Sequence, residues 1–391
     1  MTMKPKVVMI SHGPIEDEGE GHFIHGNNVA RAFSKVADIK VLEYTFDDRV
    51  FGLNGVRYIH LPINTHHLTT HHQNNLFQKY LSFDPTTLFR ELFSTWRFLS
   101  KNRSHIQSAD YVVLQGCLLI SAFLLCKIWH KKIVIDTHWI NYDVARAKEL
   151  PFFPYHARRI TWFVLELVQF QLSDVILVVS KKDYDSARDH FFLSSKKIQL
   201  IPQIIDFDKN FSENSSHDLR IIAESDRPII TFIGALDSLQ NLFAVRFIKE
   251  TLAPSLPTCT FLLIGDKQQR KEGNVITLQR KKNVHPYLQS SDILISPTDV
   301  GSGVKFKILD YLYSQKLIVA TPPNFEGIFP QVIPDGIISV PIVDFARTLR
   351  EVVERKLYLQ EHSAHRSYVL QNHSLEALRN SIADLQDKII L

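Results

Sequence analysis

The sequence predicts an α/β protein of two doubly wound, Rossmann-like domains in tandem. Its 391 residues exceed what one hydrophobic core usually serves. Its apolar runs are short, rich in Val and Ile, and alternate with helix-length amphipathic stretches, the pattern of parallel strands covered on both faces. After a polar break, "DFDKNFSENSSHDLRIIAESDRP" (Asp206–Pro228), the same alternation starts again. In such folds ligands bind beyond the carboxyl ends of the strands.

Taken in order, "KVVMIS" reads as a first buried strand, since its apolar run is too short for a signal peptide. The loop "HGPIEDEGEGHFIHGNN" follows. Gly19, Gly21 and Gly26 there permit close backbone approach to a ligand, while Glu16, Asp17, Glu18 and Glu20 equally describe an exposed acidic loop. "DIKVLEY", "YVVLQG", "KIVIDTH", "DVILVVS" and "KIQLIPQ" continue the strand series. Tyr111–Trp129 approaches the length of a membrane span, but Gln115, Gly116, Ser121 and Lys127 interrupt it. Gly116 suits a strand-to-helix turn, so the stretch reads as a buried strand and a core-facing helix. "YHARRITWFVLELVQF" is a basic, aromatic amphipathic helix. It fits a core helix with snorkelling arginines, and also a helix lying on a membrane surface.

In the second half the strands are "IITFIG", "TFLLIGD", "NVITLQ", "DILISP", "LIVAT" and "GIISV". Gly234, Gly265, the run from Thr298 to Lys307, and Thr321 then share one rim of that domain. Domain bounds of 1–205 and 229–374 follow, with 206–228 as linker.

Composition narrows the function classes. A net charge of +4 and the absence of arginine-rich runs argue against nucleic acid. Mild basicity is compatible with a peripheral contact to anionic lipid. Cys117, Cys126 and Cys259 are scattered and odd in number, which fits a reducing, cytoplasmic location, with the inner face of a membrane as the variant. His67 and His71 in "HHLTTHH" have metal-compatible spacing but no accompanying carboxylate or cysteine, so no metal is expected.

The most informative stretch is "GSGVKFKILDYLYSQKLIVAT", Gly301 to Thr321. Gly301 and Gly303 leave a backbone open to close approach. Lys305 and Lys307 follow at the start of a helix, where the dipole favours anions over cations. Exposed N–H groups, dipole and ammoniums together suit a phosphate. The Gly-Lys-Ser/Thr ending of a P-loop is missing.

This stretch, with "ITFIGALDSLQNLFAVRFIKETLAPSLPTCTFLLIGD" and "VHPYLQSSDILISP" before it, resembles the donor-binding domain of GT-B glycosyltransferases of the retaining family-four (group 1) type. Members commonly read Phe-x-Gly, Pro-Asn-x-x-Ala, Ile-Val-Gly, Ala-Asp and Gly-x-Gly-x-x-x-Lys-x-x-Glu in that order. "GHFIHGNNVARAF", "VIDTH" and "SDVILVVSKKDYD" resemble the acceptor half more weakly, so the likeness runs along nearly the whole chain. There are departures. Ser302 and Asp310 stand where many relatives have glutamates, Gln315 and Leu317 replace a glycine and a proline, and "GALDSLQN" lacks an arginine.

The resemblance implies two domains facing each other across a cleft, with a C-terminal helix at about 375–391 packing back onto the first. It implies transfer of a sugar from a nucleotide diphosphate sugar to an acceptor hydroxyl on a glycan or lipid-linked glycan, with retention and without metal or cofactor. Gly19, Gly21, Gly234, Gly301, Gly303, Val304, Lys305, Lys307 and Asp310 would bind the donor, Asp310 through the ribose hydroxyls. His138, Lys305 and Ser302 would act at the reacting centre. Three rivals share the fold: a nucleotide-sugar 2-epimerase, a soluble sugar-phosphate synthase and a non-catalytic nucleotide- or partner-binding protein.

Overall fold

The Val- and Ile-rich runs are strands in the computed structural model, which describes residues 4–11, 21–45, 50–53, 55–62, 96–97, 99–117, 119–138, 140–143, 153–205, 227–281, 283–299, 305–328, 335–360 and 362–390. The chain divides into two compact units, one of Met1–Pro202 with Leu378–Leu391 and one of Gln203–Ala377.

The first unit holds β1 (Lys6–Ser11), β2 (Asp38–Thr45), β3 (Val50–Leu53), β4 (Val56–Pro62), β5 (Tyr111–Gln115), β6 (Lys132–Asp136), β7 (Val175–Val178) and β8 (Ile198–Leu200). They lie in the order β3-β4-β2-β1-β5-β6-β7-β8. All neighbours are parallel except β3 and β4. The order turns at β1, which has β2 on one side and β5 on the other, and this is the switch point where such sheets open a crevice. Helices α1 (Gly21–Val36), α2 (Ile120–Ile128), α3 (Phe153–Leu172) and α4 (Lys181–His190) connect the strands. The long apolar stretch from Tyr111 is thus β5, fully buried, followed by a turn and α2. No helix among the described residues is long and apolar enough to cross a membrane.

The second unit repeats the scheme with β9 (Ile229–Ile233), β10 (Thr260–Asp266), β11 (Arg270–Glu272), β12 (Val275–Gln279), β13 (Ile293–Ser296), β14 (Leu317–Ala320) and β15 (Ile337–Ser339). Their order is β11-β12-β10-β9-β13-β14-β15, with the switch point between β9 and β13. Only β11 runs antiparallel to its neighbour. Alternation along β9 sends Ile229 and Ile233 into one core layer and Ile230 and Phe232 into the other. Helices α5 (Leu239–Phe247), α6 (Phe306–Tyr313) and α7 (Ser363–Asn372) cover the faces. The final helix, α8 (Leu375–Ile390), buries Leu378, Ile382, Leu385 and Ile389, and its end accepts a hydrogen bond from Lys132 Nζ at the start of β6.

Candidate functional site

In the second unit, β9 and β13 pair only through Ile293 with Ile230 and Leu294 with Thr231. Beyond that the strands part, and the buried Tyr311 hydroxyl of α6 fills the gap. It accepts from Ile233 N at 3.0 Å and donates to Ile295 O at 3.1 Å. Burial holds this phenol well above its ordinary pKa, so it stays a neutral bridge. One hydroxyl from the second half of α6 therefore ties the helix to the switch point.

Lys305 is the residue that caps α6, and Lys307 is the second residue of the helix. The Lys307 ammonium turns inward, donates to Asn241 Oδ1 at 2.9 Å and sits 4.3 Å above the ring of Phe232. Asn241 Nδ2 in turn donates to Ala235 O at 2.9 Å, which fixes the amide's orientation. Gly234, at the end of β9, completes the pocket: a Cβ there would fall 2.8 Å from Asn241 Nδ2 and 3.4 Å from Lys307 Nζ. Gly265 supports it from β10, because a Cβ at Gly265 would lie 1.9 Å from Gly234 O. Burial, with repulsion from Lys305 second, pulls the Lys307 pKa down from 10.5 to about 7. Among the described residues no carboxylate forms an ion pair with Lys307.

Asp310 lies one turn further along α6, with Oδ1 3.3 Å from Nε2 of the buried His285. Its carboxylate is thereby oriented while remaining partly open to solvent. Behind the helix, Asn324 ties the ends of β13 and β14 together. Its amide donates to Ser296 O, Thr298 O and Thr321 O, and its carbonyl accepts from the Ser296 and Thr298 hydroxyls at 2.7 and 2.9 Å. A buried side chain satisfied this fully holds the strand ends that flank the glycine turn rigid. Gly301, Ser302, Gly303 and Val304 of that turn lie outside the described residues, as does Gly19.

In the first unit, His138 follows β6 and Gly21 begins α1. Asp136, fully buried at the end of β6, accepts from His25 Nε2 at 3.0 Å, and the His25 ring meets His138 edge-on with centroids 4.7 Å apart. Among the described residues, Asp136 Oδ2 and Gln115 Nε2, on register partners of β6 and β5, have no hydrogen-bond partner. The backbone after His138 is clamped by Glu166 of α3, which accepts from Asn141 N, Asn141 Nδ2 and Tyr142 N at 2.7, 2.9 and 3.0 Å. Burial outweighs those three bonds and pushes the Glu166 pKa up to about 7. Asp183, held by Ser180 at the start of α4, is likewise pushed up to about 6 by burial.

Of the residues read from the sequence, Gly234, Lys305, Lys307 and Asp310 gather at one switch point, whereas Gly21 and His138 belong to the other unit. Asn241, Phe232, Tyr311 and Asn324 went unread there, although "LQNLFA" stands where the family pattern has Pro-Asn-x-x-Ala. His25 sat inside a quoted helix with nothing in its spacing to mark an aspartate partner 111 positions away. Among the described residues no three His, Cys, Asp or Glu are grouped to hold a metal, and His67 and His71 lie outside the described residues.

Residues 227–355 match the family model described as glycosyl transferases group 1. No curated protein matches the chain in sequence. Among solved structures, sucrose-phosphate synthase from Thermosynechococcus elongatus is similar with a TM-score of 0.73 and 15% identity over 99% of both chains. The UDP-forming α,α-trehalose-phosphate synthase of Burkholderia vietnamiensis gives 0.72 at 13% identity, over 99% of this chain and 98% of that one. Anabaena HepE, in complex with UDP and glucose, gives 0.68 at 13% identity over 98% and 99%. The chain thus has the GT-B fold, two Rossmann-like units, and its similarity to the group 1 glycosyl transferase model lies within the second of them.

Proposed function

We propose that this chain moves a sugar from a nucleotide diphosphate sugar to the hydroxyl of a glycan or lipid-linked glycan, retaining anomeric configuration and using no divalent metal. The observation that carries this reading is the Lys307 ammonium, turned inward beside a switch point with Asn241 to orient it and, among the described residues, no carboxylate paired with it. A cation kept from water is costly unless an anion meets it, and a diphosphate supplies one. The reaction builds negative charge on the departing diphosphate, and fixed donors stabilise that charge best. Lys307 and Lys305, with the start of α6 and the glycine turn of Gly301 to Val304, are the donors assigned to this task. Asp310 accepts from the ribose hydroxyls, and Gly234 leaves room for the phosphates.

His138 of the first unit is assigned to the transferred sugar or the acceptor hydroxyl, with Gly19 and Gly21 admitting the donor closely. Departure and attack on the same face account for retention: the glycosidic C–O bond breaks, the acceptor oxygen bonds the anomeric carbon, and the leaving phosphate takes the acceptor proton. No protein nucleophile is needed on that route. UDP heads the test panel because HepE is described in complex with it. Calorimetry with UDP, GDP and ADP, in chelator, is expected to give micromolar binding of one diphosphate, weakened by Asp310→Ala. Slow release of that diphosphate from its sugar conjugate, in chelator, then establishes transferase chemistry. Failure of a folded chain to bind any of the three overturns the reading.

A further inference from the structure

Helix α3 carries a stripe that the core does not use. Ile160, Val164, Val168 and Leu172 recur every four residues and are 63%, 49%, 48% and 53% exposed. They line about 18 Å of helix surface at 1.5 Å per residue. Trp162, Glu166, Gln169 and Phe170 occupy the inward face, so the one charged residue between Ile160 and Leu172, Glu166, points away from solvent. Helix α2 runs beside it, since Gln169 Nε2 donates to Cys117 O just before α2 begins, and it exposes Leu124 and Ile128. At the far end, Gln171 Nε2 donates to Phe191 O, which ties the residue before Phe192 to the last turn of α3. Phe192 is 77% exposed and has a left-handed backbone with φ 54°, unfavourable for so large a side chain. Apolar surface on this scale marks an interaction face rather than ordinary scatter.

The rim decides the partner. Lys127 lies between Leu124 and Ile128, and Lys197, next to Lys196, donates to Gln171 O at the end of α3. Lys197 lies near Asp174, whose carboxylate accepts from Ile133 N, and near Lys127, whose charge disfavours its own. The neighbouring acids of α4 are already engaged, Asp185 with Lys181 and Arg188, and Asp189 with Arg188. A second copy docked about a two-fold axis on this face would bring the same lysines together. A bilayer with anionic headgroups instead receives the apolar stripe and the cations at once.

We propose that the α2–α3 face, with Phe192 as its protruding tip, docks the first unit onto an anionic lipid surface. This does not depend on the transferase reading, and its test uses no substrate. The full chain is sedimented with vesicles of phosphatidylcholine alone or mixed with phosphatidylglycerol. Binding to the mixed vesicles only, weakened by added salt, is expected. The doubly substituted Val164→Glu/Val168→Glu chain is expected to bind about tenfold more weakly or worse, since charged groups replace buried apolar surface. Phe192→Gly is expected to weaken binding while holding or raising the melting temperature, because glycine relieves the left-handed backbone. It therefore separates docking from folding. Absence of vesicle binding by folded wild type overturns the proposal, as does binding that both variants leave intact. Self-association of wild type that Val164→Glu/Val168→Glu abolishes, without vesicle binding, assigns the face to a second copy and overturns it equally.

Discussion

The two switch points are built from the same strand arrangement and treat charge in opposite ways. In the first unit, Asp136 is buried but meets His25 within the chain, and Glu166 is clasped by three N–H groups. In the second, the half-buried Lys307 is turned inward with an amide and an aromatic face for company and, among the described residues, no carboxylate paired with it. A buried charge with an internal partner serves the fold, because removing the partner strands the other member. A buried charge without one lowers stability and waits for a ligand. Under the proposed function the first set serves mainly the structure and the second binds the donor.

Lys307→Met tests that division most severely. Losing a charge-assisted contact to a diphosphate is expected to weaken binding about a hundredfold, from roughly 1.5–3 kcal/mol for a hydrogen bond to a charged group. Methionine fills the same volume without a charge to desolvate, so the melting temperature should hold or rise. A variant that melts much earlier, with diphosphate affinity intact, would make Lys307 a structural residue and erase the contrast. Asp136→Leu is the mirror experiment. Stranding His25 is expected to cost about 1–3 kcal/mol in urea unfolding and leave diphosphate affinity unchanged. Equal losses of affinity in both variants would mean that the two sites cannot be told apart by where their charges are balanced.

The contrast also shows what the sequence could disclose. Every strand read from a continuous apolar run is present, because burial on both faces forces a run that is apolar throughout. The unread strands are β3 and β4, the outermost pair of the first sheet, and β11, at the edge of the second. β11 is Arg-Lys-Glu with all three residues exposed, so no apolar signal exists to find. The lysines were legible because a cation at a helix start contradicts the dipole and demands a reason. Which of them turns inward was not legible, since that depends on Asn241, 66 positions away. His25 with Asp136 was hidden for the same reason. A long-range pair leaves no local pattern, and only the register of β6 and the approach of α1 bring it together. The apolar stripe of α3 was read as two alternatives because a helix with one apolar face inward and another outward has too little polar surface to show which side faces the core.

Glu166→Gln sharpens the first half of the comparison by a smaller effect. Glutamine offers an N–H where Tyr142 N–H needs an acceptor, so the loop after His138 should loosen at about 1–2 kcal/mol. There is also a pH signature. The Glu166 carboxyl titrates near 7 in the fold against an ordinary 4.5, so between these values the folded chain holds more proton than the unfolded one. Its contribution to stability therefore falls as pH rises through that window and is level above it. Unfolding measured at several pH values should lose this slope in the glutamine variant, and retention of the full slope would place the titration elsewhere.

The smallest effect is also the most direct reading of the second half. Lys307 titrates near 7 in the free fold and near 10.5 when unfolded, so between those values the unfolded chain holds more proton. Stability from this group rises with pH across the window, and the cost of the buried ammonium is fully present below it. A bound diphosphate reverses the preference, because the anion favours the charged lysine. Binding at pH 8 must then draw in most of one proton, and affinity must fall as pH rises above 7. Calorimetry in two buffers of different ionisation enthalpy measures that uptake, and Lys307→Met should abolish it. Binding with no proton uptake in the wild type would mean that the ammonium is already charged before the ligand arrives, and that Asn241 and the ring of Phe232 suffice to hold it so.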